Sequence, residues 1–175
     1  MSTSKNPAAY ELVAIVDEDN RVVGSASRGI MRRFNLIHRA TYVLLFNGRG
    51  ELFVQQRTES KDIYPGYYDI AAGGVVLAGE DYDLSARREL AEEVGITGVP
   101  LTPFCDFYWQ EEHNKVWGRA YTCVADGPVT LQEEEVQWGQ FMHLDDIRLL
   151  RGKRPFTPDG LYLLDRYLAA ATKSV

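Results

Sequence analysis

The stretch from Glu80 to Gly95 constrains this chain more than any other. Its apolar spacing is helical, and Gly95 supplies a natural C-terminal stop. Glu89, Glu92 and Glu93 are spaced i, i+3, i+4, so they fall within an arc of about 100° on one helix face. Leu84, Leu90, Ala91 and Val94 fall on the opposite side. An ordinary acidic solvent face would explain such a helix. Two details weigh against that. Glu89 and Glu93 form a like-charge i, i+4 pair with no lysine between them, which costs a few tenths of a kcal/mol unless relieved. Oxygen donors clustered on a rigid element are also what Mg²⁺ or Mn²⁺ requires.

Charge is distributed to match. The 175 residues carry a net charge of −6, but residues 62–146 alone hold seventeen acidic and four basic side chains. Such an excess is unfavourable unless something cationic joins it; divalent metal is the simplest candidate, and a basic partner protein or plain solubility also fits. The same balance argues against nucleic acid, whose phosphates need a basic face. The length suits a single domain over residues 9–175 with a loose N-terminus at 1–8. No apolar run reaches the ~20 residues that span a bilayer, and residues 1–7 lack the apolar stretch of a signal peptide. A cytoplasmic location without membrane contact follows as the expectation. Cys105 and Cys123 are too few for a disulfide framework or a Cys-rich zinc site and read as reduced core residues.

Strand patterns flank the helix. Glu11–Val16 and Arg21–Ala26 read as a hairpin around Asp17–Asn20, and Ala40–Phe46 with Glu51–Arg57 as a second around Asn47-Gly48-Arg49-Gly50. Residues 27–37 read as a short helix or a loop. Tyr64-Pro65-Gly66 marks a loop leading to Ala71-Ala72-Gly73-Gly74, where the backbone is free to approach something closely. Phe104–Gln110 and Val116–Val124 follow as strands joined through residues 110–115, then Val136–His143. A helix starts at Leu144-Asp145-Asp146, and Thr157-Pro158-Asp159 caps a last one whose Leu161, Leu164, Tyr167 and Leu168 share a face. Mixed strands with few helices imply an α/β layered fold.

Reading outward from the glutamates gives Gly74, five residues, Glu80, seven residues, then Arg88-Glu89-Leu90-Ala91-Glu92-Glu93-Val94-Gly95-Ile96. This matches every fixed position of the signature G-x5-E-x7-R-E-U-x-E-E-x-G-U, U being apolar. A chance match is on the order of 10⁻⁹ per start position at average composition. The chain thus resembles the Nudix hydrolases. The resemblance implies an α/β/α sandwich with a mixed sheet, here with an N-terminal β-hairpin extension, and hydrolysis of a diphosphate linkage in a nucleoside diphosphate derivative or related organic diphosphate. It implies Mg²⁺ or Mn²⁺ held by Glu89, Glu92 and Glu93, with Glu80, Arg88, Gly73 and Gly74 supporting the site. Bridging cations would offset the charge of the diphosphate and activate water. Glu89 is the first candidate for the base, Glu135 the second, and Glu111 and Glu112 follow.

The chain also resembles the isopentenyl diphosphate isomerase branch of that superfamily, through His38, Phe46-Asn47, Gln56-Arg57, Ser60-Lys61 and Tyr64-Pro65-Gly66. Arg57, Lys61 and His38 are thereby candidates for binding the substrate. Isomerase chemistry needs a cysteine where this chain has Ala72, and paired glutamates where it has His113 and Lys115. The alternatives to a hydrolase are that isomerase activity and a non-catalytic diphosphate sensor. Tyr64, Tyr67, Tyr68, Trp109 and Trp117 are candidates for stacking on a base. Pairing into a homodimer is open on general grounds.

Overall fold

The computed structural model describes residues 7–172. The expected loose end at 1–8 therefore falls mostly outside the described residues, and Pro7 and Ala8 enter a 3-10 turn, Pro7–Tyr10. The first hairpin forms as β1 (Leu12–Val16) and β2 (Val22–Ser27), antiparallel from Leu12↔Ser27 onward. Its turn is closed by Asp17, whose Oδ1 accepts from the backbone N–H groups of Asp19 and Arg21 at 3.0 and 2.8 Å. The undecided segment is a helix, α1 (Arg28–Arg33), started by Ser27 and followed by Asn35 at φ 47°.

The sheet is mixed, as expected. β3 (His38–Phe46) runs parallel to β7 (Asn114–Val124) along its whole length, and β7 pairs antiparallel with β6 (Thr102–Glu111). The connection expected over residues 110–115 is tighter than anticipated. Gln110↔Lys115 and Glu111↔Asn114 continue the ladder, leaving Glu112 and His113 as the turn, while Asn114 is buried.

The second hairpin needs correction. β3 and β4 (Leu52–Arg57) pair at Phe46↔Leu52 alone and then diverge, because another segment lies between them. β5 (Tyr68–Asp69) pairs with β4 through Gln55↔Asp69, and the chain then crosses to bridge β3 at Val43↔Ala72 and Ala40↔Val75. On its other edge β4 pairs with β8 (Val136–Met142). The turn residues are legible in the sequence; the segment that separates the strands comes from beyond a long loop, at residues 68–76, and is not.

Strand alternation on β3 sets the layers. Ala40, Tyr42, Leu44 and Phe46 pack with Leu163 and Leu164 of α4 (Pro158–Thr172) and Ile147 of α3 (Leu144–Arg151). Val43 and Leu45 pack instead with Tyr82, Ala86, Leu90 and Val94 of α2 (Tyr82–Val94). Each fully buried side chain of this kind contributes roughly 1.5–3 kcal/mol, so both layers are firmly held. Leu163 joins the expected α4 face as a fully buried member, with Leu161, Tyr167 and Leu168 partly buried beside it. No helix among the described residues is long and apolar enough to cross a membrane.

Candidate active site

α2 begins where Asp81 Oδ1 accepts from the Leu84 N–H at 2.8 Å. It ends where Gly95, left-handed at φ 71°, lets its own N–H and that of Ile96 bond back to Ala91 and Leu90. Between these ends the sequence-based facing is wrong in one respect. Leu84 is 55% exposed, while Glu89 and Glu93 are 9% and 2% exposed and share the inward arc with Tyr82, Ala86 and Leu90. The cause is the divergence of β3 and β4. Gly73 and Gly74 cross there without side chains, and the glutamates occupy the space. A Cβ on Gly74 would stand 2.6 Å from Glu89 Oε1, and one on Gly73 would stand 1.9 Å from the Thr41 carbonyl oxygen.

Glu93 Oε2 accepts from the Gly73 N–H at 3.0 Å and from Gln55 Nε2 at 3.1 Å. Burial pushes the carboxyl of Glu93 above the ordinary range, against the pull of Lys61, Gln55 and Gly73. Burial, then the charge of Glu93, raises Glu89 likewise. Arg88 organises the other side of the cluster. Its guanidinium grips Glu80 in a two-pronged pair at 2.8 and 2.9 Å, and donates to Glu89 at 2.8 Å and Glu92 at 3.2 Å. The expected three-carboxylate set is therefore only partly gathered. Glu89 and Glu93 lie together, whereas half-exposed Glu92 faces Arg88, and among the described residues no three acidic, histidine or cysteine side chains converge as a ready cation cage.

Lys61 forms an ion pair with Glu135 and lies close enough to Glu93 to act on its charge. The Glu135 carboxyl, raised by burial, is brought below its ordinary range overall by Lys61 and by Arg28 and Arg57. Glu111 and Glu112 sit at the β6–β7 turn, outside the lining of the cleft that this ion pair borders; burial and then the charge of Asp159, which lines that cleft, raise Glu111.

Lys61, Gly73 and Gly74 also border a cleft of about 550 Å³ including its open mouth. Arg57 lines it, but its guanidinium donates to the Ile63 and Tyr64 carbonyls at 2.8–3.2 Å, fastening that loop. His38 lines it at 2% exposure, held neutral by burial down to a pKa of about 3. Sequence reasoning passed over Arg28 and Arg32, which line the cleft and flank Asp62 at 2.9 and 3.1 Å. Their i, i+4 spacing was the available signal. Among the five aromatic candidates, Tyr64 lines the cleft; Trp109 packs on Tyr162, Trp117 on Tyr108 and Tyr68 on Trp138. Cys123 is buried, Cys105 half-buried, and both are free thiols outside the cleft lining.

A paired set of buried carboxylates, with an arginine that organises them, thus lies beside a cleft bordered by Arg28, Arg32, Arg57 and Lys61. Residues 36–161 match the NUDIX domain family, and the chain belongs to it as a Nudix hydrolase acting on diphosphate linkages. An uncharacterized Nudix hydrolase of Yersinia pestis is 48% identical over 165 residues, covering 94% of this chain and 90% of the relative. The Nudix hydrolase YfcD of Salmonella typhi is 42% identical over 174 residues, covering 99% and 94%. In fold, the chain is similar to DR0079 of Deinococcus radiodurans, with a TM-score of 0.78 at 23% identity over 89% of this chain and 98% of that one.

Proposed function

We propose that this chain hydrolyses an organic diphosphate with Mg²⁺ or Mn²⁺, by attack of water on phosphorus. One observation carries the reading: Glu89 and Glu93, two buried carboxylates with raised pKa values, lie side by side against Gly74 and Gly73. Such a pair is costly alone and suited to a hard cation, since all its donors are oxygens. When bound, the cation supplies charge neutralisation and an activated water. Glu89 and Glu93 would hold it, joined by Glu92 on release from Arg88.

The remaining steps belong to the chain. Arg88 and Glu80 fix the orientation of the carboxylates, and the Gly73 N–H and Gln55 hold Glu93 in place. Lys61, Arg28 and Arg32 provide positive charge toward the phosphates. Glu89 ranks first as acceptor of the water's proton, ahead of Glu135, whose carboxylate is engaged by Lys61. The isomerase alternative lacks a thiol in the cleft lining among the described residues.

The test is phosphate release from a panel of nucleoside diphosphates, nucleotide sugars and isoprenoid diphosphates with Mg²⁺ or Mn²⁺. Release that depends on metal and falls by roughly 100-fold or more in Glu93→Gln supports the reading. Tight ligand binding without release, or conversion of isopentenyl diphosphate to its isomer, would replace it with the sensor or the isomerase.

A further inference from the structure

Gln55 is a buried polar residue that follows an apolar run. On β4, Leu52, Phe53 and Val54 precede it as core residues, and Phe53, on the same strand face, packs with Leu90 and Val94 of α2. Gln55 is 2% exposed, and both edges of β4 fix its register, against Asp69 of β5 and Gly139 of β8. Burying an amide is costly unless its polar atoms find partners. Only the nitrogen does. Nε2 donates to the Ala71 carbonyl at 3.2 Å and to Glu93 Oε2 at 3.1 Å. The Ala71 carbonyl can only accept, so the nitrogen must face it and the amide cannot be turned over. Oε1 is left buried with no hydrogen-bond partner among the described residues.

The amide that carries this orphaned oxygen adjoins the carboxylate pair. Glu92 is turned to Arg88 and Glu135 to Lys61, which leaves Glu89 and Glu93 as a thin donor set for a hard cation that takes about six oxygens. A third buried carboxylate would unbalance the charge. Two ionised carboxylates already match a divalent ion, and a neutral amide oxygen adds a donor without adding charge. Size separates a cation from a water at this place. Oε1 offers no surface to water, and a hydrogen-bonded water needs about 2.7–2.8 Å between oxygens, against about 2.0–2.1 Å for Mg²⁺. A gap that shuts out the first admits the second.

We propose that Gln55 Oε1 is a ligand of the divalent cation, beside Glu89 and Glu93. The inference rests on the hydrolase reading for the presence of a cation. The two bonds of Nε2 keep the amide aimed and β4 anchors its stem, so this oxygen is preorganised, whereas Glu92 must first leave Arg88. Two substitutions separate the roles of the two amide atoms. Gln55→Glu keeps an oxygen at the ligating position and loses the donor; Gln55→Met keeps the approximate shape and loses both. A residue that only steadied Glu93 through Nε2 would lose its role in either variant.

The experiment uses the whole chain loaded with Mn²⁺. Electron–nuclear double resonance is recorded on protein made by cell-free synthesis with glutamine carrying ¹³C at its side-chain carbonyl. Wild type is expected to show the strong coupling of a carbon one bond beyond a metal-bound oxygen, and both Gln55→Met and Gln55→Glu are expected to lose it, so either variant that folds serves as the control. Calorimetry is expected to give Mn²⁺ affinity weaker by about tenfold or more in Gln55→Met, and within about threefold of wild type or tighter in Gln55→Glu. Bound Mn²⁺ that couples strongly to no glutamine carbon in wild type, or a coupling that persists in the variants, would overturn the inference and leave the hydrolase reading intact. Failure of wild type to bind Mn²⁺ at millimolar concentration would overturn both. The expected coupling in a protein that releases phosphate from no diphosphate upholds the ligand and removes the hydrolase reading.

Discussion

The two faces of β3 carry polar groups assembled in opposite ways. On the α2 side, Glu89 and Glu93 come from one helix, one turn apart, and Arg88 and Glu80 that orient them lie in the same short run. On the α4 side, the cleft draws Arg28 from α1, His38 from β3, Lys61 from a loop, Asp69 from β5 and Asp159 from α4. Gly73 and Gly74 stand between the two. The first set is a product of helix periodicity, the second of topology. A helix can bring its own charges together by spacing alone, but only the sheet can bring distant ones into a shared cavity.

That contrast can be broken at its hinge. Gly73→Ala is expected to destabilise the fold by about 3 kcal/mol or more, since the added carbon meets the Thr41 backbone at 1.9 Å and no side chain can yield. Gly79, at φ 85° with nothing within 4 Å, is the control; its alanine variant should lose about 1–2 kcal/mol from backbone strain alone. Urea denaturation of both variants measures the difference. Equal losses would mean that Gly73 serves its backbone conformation and that the close crossing is not what fixes it.

Legibility in the sequence followed the same division. The run from Gly74 to Ile96 could be read residue by residue because its spacing is local, and Glu80 and Arg88, both expected to support the site, pair with each other. Which way the helix faced could not be read. Leu84 looked apolar and therefore inward, while the inward space over Gly73 and Gly74 is polar and holds Glu89 and Glu93. Strand existence was legible from alternation. The departure of β4 from β3 was not, because the segment at 68–76 that separates them carries no pattern of its own beyond small residues. Arg57 illustrates the limit for single side chains: its type suited phosphate, but the loop at 63–64 takes up its donors.

A smaller effect sharpens the comparison on the cleft side. His38 has a pKa of about 3 in place of 6.5, so the native state binds fewer protons than the unfolded state across that interval. Stability from this residue is therefore lost as pH falls from 6.5 toward 3. At pH 4 the loss relative to pH 7 is about 3 kcal/mol. Asp69 acts in the opposite sense, since a carboxyl raised from 3.8 to about 6 makes the native state bind more protons and gain stability as pH falls through that window. The two partly cancel in wild type. In His38→Gln the cancellation is removed, and stability measured against pH should improve relative to wild type by about 3 kcal/mol between pH 7 and pH 4. A constant difference between the two proteins would show that His38 is not held neutral by its burial.

The smallest expected effect concerns the tie between the cleft and the α4 layer. Tyr42 projects from β3, stacks against Phe107 at 5.1 Å and donates its hydroxyl proton to Asp159 Oδ2 at 2.7 Å. Tyr42→Phe keeps the ring and its packing but leaves Asp159 with an unmet acceptor, a cost of about 1–3 kcal/mol. The burial of Asp159 is what sets that size, because a solvated carboxylate would replace the bond with water at little cost. Asp159→Asn in the Tyr42→Phe background should recover part of the loss, since the charge stranded beside Asp69 is removed. Stability measured for the single and double variants closes the cycle. A loss in Tyr42→Phe that Asp159→Asn does not relieve would place the role of Tyr42 in the packing of its ring edge, and the acidic end of the cleft would then stand without a structural tie to β3.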